Sequence, residues 1–138
     1  MGTITTRLVG EMLFESQMGQ HKLMIDVPPS MGGSDRAPTP PEIFVASLGS
    51  CVAAFVAQYC NRVGIDASGL EVAIIFDKAD NPTRLTNLRA VITLPHGEYG
   101  NREEALRRVA EHCPVHETIT TLGGVTFEFH DAKDEALV

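Results

Sequence analysis

The segment HCPVHETI, residues 112–119, carries the residues of this chain that are best suited to thiol chemistry. Proline favours the first position of a helix, so Pro114 predicts that Cys113 is the N-cap of a short helix. A sulfur there faces unpaired backbone N–H groups and the positive end of the helix dipole, and both favour the thiolate. The placement predicts a reactive Cys113, with an unreactive capping residue as the alternative. His116, on the first turn, is positioned to tune the thiol.

Two further cysteines, Cys51 and Cys60, lie in the uncharged stretch IFVASLGSCVAAFVAQYC, residues 43–60. A buried cysteine usually serves as a small hydrophobic residue, which is the ordinary interpretation of Cys51 from its position alone. Cys60 follows nine residues later. At about 100° per residue it falls on the opposite side of a helix, so the two cannot form a disulfide within one straight helix.

A metal site is a weaker interpretation of the HCPVHETI segment. Cys113 and His116 would supply two ligands, whereas a structural zinc site needs four and a catalytic site three from the protein. The histidines outside this segment, His21, His96 and His130, are scattered along the chain. We therefore expect no metal and no bound cofactor.

The uncharged stretch is predicted to form a long helix with a well-specified start. Thr39 and Glu42 have the spacing of a capping box, Pro40 suits the first turn, and Gly64 is placed to end the helix. Such a stretch also raises the question of a membrane span. It contains serine, glycine and glutamine and lacks a basic flank, which favours a helix buried in a protein core.

The remaining elements are predicted from alternation, helical periodicity and turn residues. Strands are expected at 4–8, 12–16, 21–27, 70–77, 85–94 and 125–130, and helices at 101–112 and from Cys113 to the glycines at 123–124. This order predicts an α+β fold. The chain is expected to be a single domain, residues 1–138, with a loose tail at 131–138. The Pro- and Gly-rich loop at 28–41 is long enough to suggest a functional role.

Composition restricts the class of function. The formal net charge is −7, there is no tryptophan, and aromatic residues make up 6% of the chain. An acidic surface repels phosphate backbones and anionic membranes, so neither nucleic acid nor a membrane is an expected partner. Three cysteines do not form a disulfide scaffold, and no signal peptide precedes them, so we expect a cytoplasmic protein.

Two segments together resemble the OsmC/Ohr superfamily of osmotically inducible and organic hydroperoxide resistance proteins. APTPPEIFVASLGSCVAAF is similar to its central-helix signature, and HCPVHETI is similar to its second cysteine motif. The resemblance extends over about residues 4–130 and is strongest to the OsmC-like branch. It implies an α+β fold with two antiparallel sheets around a long buried central helix, in an intertwined homodimer.

The resemblance also implies a thiol-dependent peroxidase that takes part in the oxidative stress response. Cys51 would attack an organic hydroperoxide and become a sulfenic acid, and Cys113 would resolve it as a disulfide. A lipoyl-type or thioredoxin-like dithiol would then reduce the disulfide. This assignment makes Cys51 the peroxide-reactive cysteine, whereas the helix position alone favours Cys113, and we follow the resemblance for the two roles.

Charged residues around this site follow from the same resemblance. Glu42 matches a glutamate that sets the electrostatics of the family's site, and capping is its alternative role. It lies about 13.5 Å along the helix from Cys51, so it is expected to act on Cys51 of the partner subunit. The family's hydroperoxide reductases carry an arginine in the first hairpin, which here reads VGEMLF. Arg7 and Arg36 are the nearest substitutes, with His116 as a third thiolate-stabilising candidate.

Phe44, Leu48 and Phe55 of the central helix are expected to line an apolar substrate pocket. Such a pocket would favour alkyl or aryl hydroperoxides over hydrogen peroxide. Two other functions stay open at this point. One is an apolar-ligand-binding protein without efficient peroxidase activity, which the missing hairpin arginine favours, and the other is a thiol redox sensor or disulfide exchange protein.

Overall fold

The computed structural model describes residues 1–133, and its amino-terminal part is a three-stranded antiparallel sheet. The strands are β1 (Thr5–Gly10), β2 (Leu13–Met18) and β3 (His21–Ile25), paired in chain order. They confirm the three predicted strands with boundaries shifted by one or two residues. Gly19 supplies the positive φ of 61° that the turn between β2 and β3 requires.

The long helix is α1, Pro40–Val63, and both of its ends are as predicted. The Glu42 carboxylate accepts hydrogen bonds from the backbone N–H and the hydroxyl of Thr39, each at 2.9 Å. At the other end, Gly64 adopts φ 80° and its N–H donates to the carbonyl of Cys60. The polar ends fix where this apolar helix begins and stops.

A second antiparallel hairpin and two short helices pack against α1. The hairpin consists of β4 (Glu71–Ala79) and β5 (Arg84–Thr93), as predicted. One 3-10 turn, Gly100–Arg102, leads into α2 (Glu103–Glu111), and α3 (Pro114–Thr121) follows directly. The helix predicted at 101–112 also included Asn101, Arg102 and His112, and α3 ends two residues before Gly123.

The hydrophobic core lies where α1 meets the hairpin, α2 and α3. Its buried members are Leu48, Val52, Val56, Tyr59, Cys60, Leu106 and Cys113. By length and composition α1 could cross a membrane, and 22% of its most apolar 18-residue window is buried within this chain. The described residues of one chain leave much of this apolar helix uncovered, so a single copy does not bury it on all sides in a protein core as predicted.

The strand predicted at 125–130 is wrong for the single chain. The segment forms no regular secondary structure and joins neither sheet within residues 1–133. Val125, Phe127 and Phe129 alternate along it and are 69%, 82% and 90% exposed. The alternation that predicts a strand is present, and the neighbouring strand is missing. Of the predicted loose tail, residues 131–133 form a turn and 134–138 lie outside the described residues.

A buried carboxylate organises the loop that leads from β3 to α1. Asp26 is fully buried and accepts hydrogen bonds from the N–H groups of Val27 at 2.7 Å, Ser34 at 3.3 Å and Arg36 at 3.0 Å. The Arg36 guanidinium adds a 2.8 Å ion pair. Arg36 also donates to the carbonyl of Glu11 at 3.0 Å. The guanidinium, followed by these N–H groups, holds the pKa of Asp26 well below its usual range.

Asp26 is therefore expected to make stability depend on pH in the acid range. Its pKa is depressed in the folded state, so its contribution is complete above the unfolded value of about 4 and is lost as the pH falls further. Thermal midpoints measured between pH 7 and pH 2 should fall more steeply for wild type than for Asp26→Asn, which starts lower at pH 7. Asp35→Asn, in the same loop, is the matched control and should follow wild type. Parallel curves for wild type and Asp26→Asn would contradict the assignment.

Candidate functional site

The fold brings Cys51 and Cys113 together within one chain. Cys51 lies near the middle of α1, and Cys113 lies in the turn between α2 and α3. Cys51 packs against the core cluster that contains Cys113, and it lies close enough to the Cys113 thiol to raise its pKa. Cys113 is fully buried, whereas Cys51 is only half-buried, and both are free thiols. Two adjacent thiols of unequal exposure can form a disulfide after one of them is oxidised.

Cys113 is the N-cap of α3, as its following proline predicts. Its φ and ψ are −65° and 138°, and its sulfur accepts a hydrogen bond from the His116 N–H at 3.3 Å. Burial nevertheless raises the pKa of the Cys113 thiol, and Cys51 adds to the rise. The N–H groups of His116 and Val115 act in the opposite direction and do not compensate. The helix cap favours the Cys113 thiolate as predicted, but desolvation is the larger effect, so the net shift of the Cys113 pKa is upward.

Cys60 lies apart from this pair, as the helical spacing predicts. It is fully buried and free, and burial raises the pKa of its thiol. It contributes to the hydrophobic core beside Tyr59 and Val56. A small apolar residue is the role that this environment supports.

The three thiols are expected to react with iodoacetamide in a defined order. Cys51 is the most exposed of them, so it should be alkylated at least about tenfold faster than Cys113 or Cys60, whose burial disfavours the thiolate. Peptide mass spectrometry of samples quenched over time measures the three rates. In denaturant the three sites should react alike, which is the control. If Cys113 were alkylated first, the prediction of a reactive Cys113 from its position at the helix cap would be supported instead.

His116 sits at the turn as predicted, with its ring turned back toward α2. Its Nδ1 is 2.7 Å from the carbonyl oxygen of Glu111. The other histidine of the segment, His112, is exposed and lies 4.0 Å from Glu117. Across residues 1–133, no group of three or more Cys, His, Asp or Glu side chains has an arrangement that could hold a metal ion.

The predicted charged residues do not meet the cysteines within one chain. Glu42 is exposed at the start of α1, and its two hydrogen bonds from Thr39 lower its pKa, which establishes the capping role. Arg36 is bound to Asp26, and Arg7 is exposed on β1 opposite Glu15. No hydrogen bond or ion pair in residues 1–133 joins these three to Cys51 or Cys113. Their roles in tuning a thiolate remain predictions.

A cavity of about 800 Å³ lies between β5 and the three helices. Its lining combines apolar side chains with charged and polar ones. Leu48 and Val52, close to Cys51 along α1, line it together with His116, whereas Cys51 and Cys113 are not among the lining residues. The other lining residues are Leu88, Arg89, Ala90, Val91, Ile92, Tyr99, Glu103, Leu106, Arg107, Ala110, Glu111, Ile119 and Thr120.

Of the three predicted pocket residues, only Leu48 lines this cavity. Phe44 lines a neighbouring groove of about 470 Å³, which shares Leu88 and Ile119 with the cavity. Phe55 is in neither lining and instead packs against the core. The three residues were predicted to line one pocket, whereas they lie in the cavity, in the groove and against the core respectively.

Several site residues escape detection in the amino-acid sequence. Leu88 and Ile92 enter the cavity from β5, and Tyr99 enters from the following loop. The spacing of four between the two strand residues indicates a common face but not which cavity they meet. Asp26, which organises the loop before α1, gives a clearer signal in the sequence. A carboxylate that follows an apolar stretch and is closely followed by two prolines is unusual for an exposed turn.

A model of a known protein family matches residues 32–129, and the description of that family is OsmC-like protein. This region includes the loop, α1, both cysteines of the pair and the segment after α3. The chain belongs to the OsmC-like protein family. The resemblance found in the two cysteine segments is thereby confirmed.

Solved structures agree with this OsmC-like membership. A Psychrobacter arcticus protein, described as a candidate osmotic stress induced and detoxification response protein, superposes with a TM-score of 0.75 at 21% identity. That match covers 86% of this chain and 88% of the other. An OsmC like protein from Mycoplasma pneumoniae has a TM-score of 0.69 at 20% identity, with 87% of each chain covered.

Other structural relatives are described as organic hydroperoxide resistance proteins. An organic hydroperoxide resistance protein OsmC from Legionella pneumophila has a TM-score of 0.61 at 25% identity, covering 87% of this chain and 90% of that one. No curated protein matches the chain in sequence. The fold class is established as OsmC-like α+β, with two antiparallel sheets and a long central helix.

Proposed function

We propose that this OsmC-like protein is a cysteine-dependent peroxidase that reduces organic hydroperoxides. The observation that carries the proposal is the pairing of a half-buried Cys51 with a fully buried Cys113. A peroxide needs access to the first thiol that it oxidises, and the second thiol needs only to reach the first. The difference in exposure therefore supports Cys51 as the peroxide-reactive cysteine and Cys113 as the resolving one.

The reaction has three balanced steps. The Cys51 thiolate attacks the distal oxygen of the hydroperoxide, the O–O bond breaks, and the organic part leaves as an alcohol after protonation. Cys113 then attacks the sulfur of the Cys51 sulfenic acid, which gives a disulfide and water. A dithiol of lipoyl or thioredoxin type reduces the disulfide and is itself oxidised. No metal or bound cofactor enters these steps.

A homodimer is part of the proposal. The single chain leaves α1 largely uncovered and exposes the apolar side chains of the segment at 125–129. A second copy of the same chain has the matching apolar surfaces, and such a pair would bring Glu42 of one chain toward Cys51 of the partner. In the same arrangement Arg7 or Arg36 could approach the thiolate across the interface. We place the reaction in the cytoplasm, where reduced thiols and dithiol reductants are maintained.

Peroxide selectivity tests the function. We expect purified protein to reduce cumene hydroperoxide at least about tenfold faster than hydrogen peroxide, because the apolar side chains that line the cavity favour an apolar substrate. Consumption of each peroxide is measured with a dithiol as the reductant. Equal rates with the two substrates would argue against the proposal.

A cavity-filling variant refines that test. Ile119 lines both the cavity and the groove and is 40% exposed, so Ile119→Trp should fill space without disturbing the core. It should slow cumene hydroperoxide reduction and leave hydrogen peroxide reduction unchanged. Ile75→Trp is the matched control, since Ile75 is similarly exposed and lines neither space.

Binding of a small apolar ligand is the second candidate function. The cavity of about 800 Å³ is large enough for such a ligand, and VGEMLF lacks the hairpin arginine of the hydroperoxide reductases. A ligand that co-purifies with the protein, together with no peroxide turnover, would favour this function. A Cys51–Cys113 disulfide of defined potential with only slow peroxide reaction would instead indicate a thiol redox sensor.

A further inference from the structure

His116 makes two hydrogen bonds that fix the turn carrying Cys113. Its backbone N–H donates to Cys113 Sγ at 3.3 Å, and its ring Nδ1 lies 2.7 Å from the carbonyl oxygen of Glu111. A carbonyl oxygen can only accept, so Nδ1 carries the proton and donates it. One residue therefore links the end of α2, the cysteine and the first turn of α3.

The Glu111 carbonyl is one of the groups that a helix end leaves without an intrahelical partner. The imidazole of His116, on the next helix, donates a hydrogen bond to this carbonyl. The bond holds the two ends of the turn at residues 111–116 together. The proposed function makes the position of this turn important. A disulfide requires the two Cβ atoms to be about 3.5–4.5 Å apart, so a shift of the turn by about 1 Å changes whether the sulfurs can join.

We propose that His116 is the positioning residue for the resolving step, through the hydrogen bond of its ring to Glu111. This inference rests on the proposed peroxidase. In that step the Cys113 S–H bond and the Cys51 S–O bond break, the S–S bond forms, and the thiol proton leaves with the hydroxide as water. This hydrogen bond between the His116 ring and the Glu111 carbonyl, the His116 clamp, keeps Cys113 Sγ within reach of the Cys51 sulfenic acid. The clamp takes no part in the attack on the peroxide.

Two substitutions separate the clamp from other roles of the imidazole. His116→Leu removes the side-chain donor, while His116→Asn keeps an N–H donor at about the position of Nδ1 and lacks Nε2. After one equivalent of cumene hydroperoxide, dimedone trapping and mass spectrometry measure the lifetime of the sulfenic acid. We expect His116→Leu to lengthen it about 10- to 100-fold, the range for misplaced reacting groups, and His116→Asn to restore it nearly to wild type.

The first step and a neighbouring histidine are the controls. Because His116 also lines the cavity, the rate at which peroxide oxidises Cys51 is measured separately in wild type and both variants, and only the lifetime of the sulfenic acid after that step is compared. His112→Leu, on the other side of Cys113, should resolve like wild type, because His112 is exposed and has only the 4.0 Å contact with Glu117. Resolution at the wild-type rate in His116→Leu would overturn the inference, and so would a His116→Asn variant as slow as His116→Leu.

A second measurement keeps this inference separate from the proposed function. Oxidised glutathione can close the Cys51–Cys113 disulfide without any peroxide, by thiol–disulfide exchange. If wild type fails to react with peroxides, the proposed peroxidase fails, and the clamp is then judged by this closure rate alone. Slower closure in His116→Leu, with Cys51 alkylated at the wild-type rate, would support the clamp. Equal closure rates would overturn it.

Discussion

Replacing Cys51 by serine is expected to abolish the reduction of organic hydroperoxides, and replacing Cys113 is expected to stop the reaction halfway. Cys51 is the accessible member of the pair, so without it no thiol meets the peroxide. Cys113 is buried and its thiol has a raised pKa, so it is a poor nucleophile toward peroxide and is expected to react only after Cys51 has become a sulfenic acid. The loss of turnover in Cys51→Ser should exceed about a thousandfold, because removal of a nucleophile leaves only residual binding effects.

Thiol counting with intact mass spectrometry distinguishes the two roles. After one equivalent of cumene hydroperoxide, wild type should fall from its three free thiols to one. Cys51→Ser should keep both of its remaining thiols. Cys113→Ser should lose one thiol and gain one oxygen atom, as a trapped sulfenic acid.

Cys60 supplies the matched control, since it is buried apart from the pair. Cys60→Ser should form the Cys51–Cys113 disulfide at the wild-type rate and retain no free thiol. If Cys51→Ser were the variant trapped as a sulfenic acid, the two roles would be reversed. If every variant kept its thiols, the peroxidase proposal would fail and the ligand-binding function would take its place.

The features that the amino-acid sequence predicts well are those set by local chemistry. The capping box of Thr39 and Glu42, the stop at Gly64 and the cap at Cys113 depend on a few neighbouring residues, and all are present in the structure. The β4–β5 hairpin follows from alternation around a short turn. These signals placed both cysteines at defined points of helices, and the family resemblance paired them.

The features that the sequence did not reveal depend on tertiary structure. The direction of the Cys113 pKa shift is set by burial, which the helix position does not report. The hydrogen-bonded ion pair between Asp26 and Arg36 joins residues ten apart across a loop. The cavity takes residues from four elements, and Leu48 was the one of them predicted to line a substrate pocket. Each of these three features depends on which segments of the chain pack together.

Substituting Phe127 and Phe129 together by serine is expected to dissociate the proposed homodimer. Both rings are almost fully exposed in one chain, at 82% and 90%, and the exposed Val125 precedes them at the same spacing of two residues. Apolar side chains such as these are more stable against another apolar surface than in water. Burying one such ring against a second copy contributes about 1.5–3 kcal/mol, and the dimer would contain four of them.

The expected result for wild type is a dimer at micromolar concentrations, measured by light scattering or sedimentation. Phe127→Ser combined with Phe129→Ser should weaken the dimer by at least about a thousandfold, since each 1.4 kcal/mol is a factor of ten. It should also lower the thermal midpoint, because the apolar surface of α1 is then left in water. Met31→Ser is the matched control. Met31 is 62% exposed but lies in a single 3-10 turn, so its replacement should leave the dimer intact.

The outcome also bears on the chemistry, because Cys51 and Cys113 come from the same chain. A dissociated variant that stays folded should still form the disulfide with oxidised glutathione, since the pair is complete within one subunit. Its reaction with peroxide should fall if Glu42, Arg7 or Arg36 of the partner subunit acts on the Cys51 thiolate. A wild-type protein that is monomeric at micromolar concentration would contradict the dimer. In that case the exposed phenylalanines would have to fold back onto their own chain.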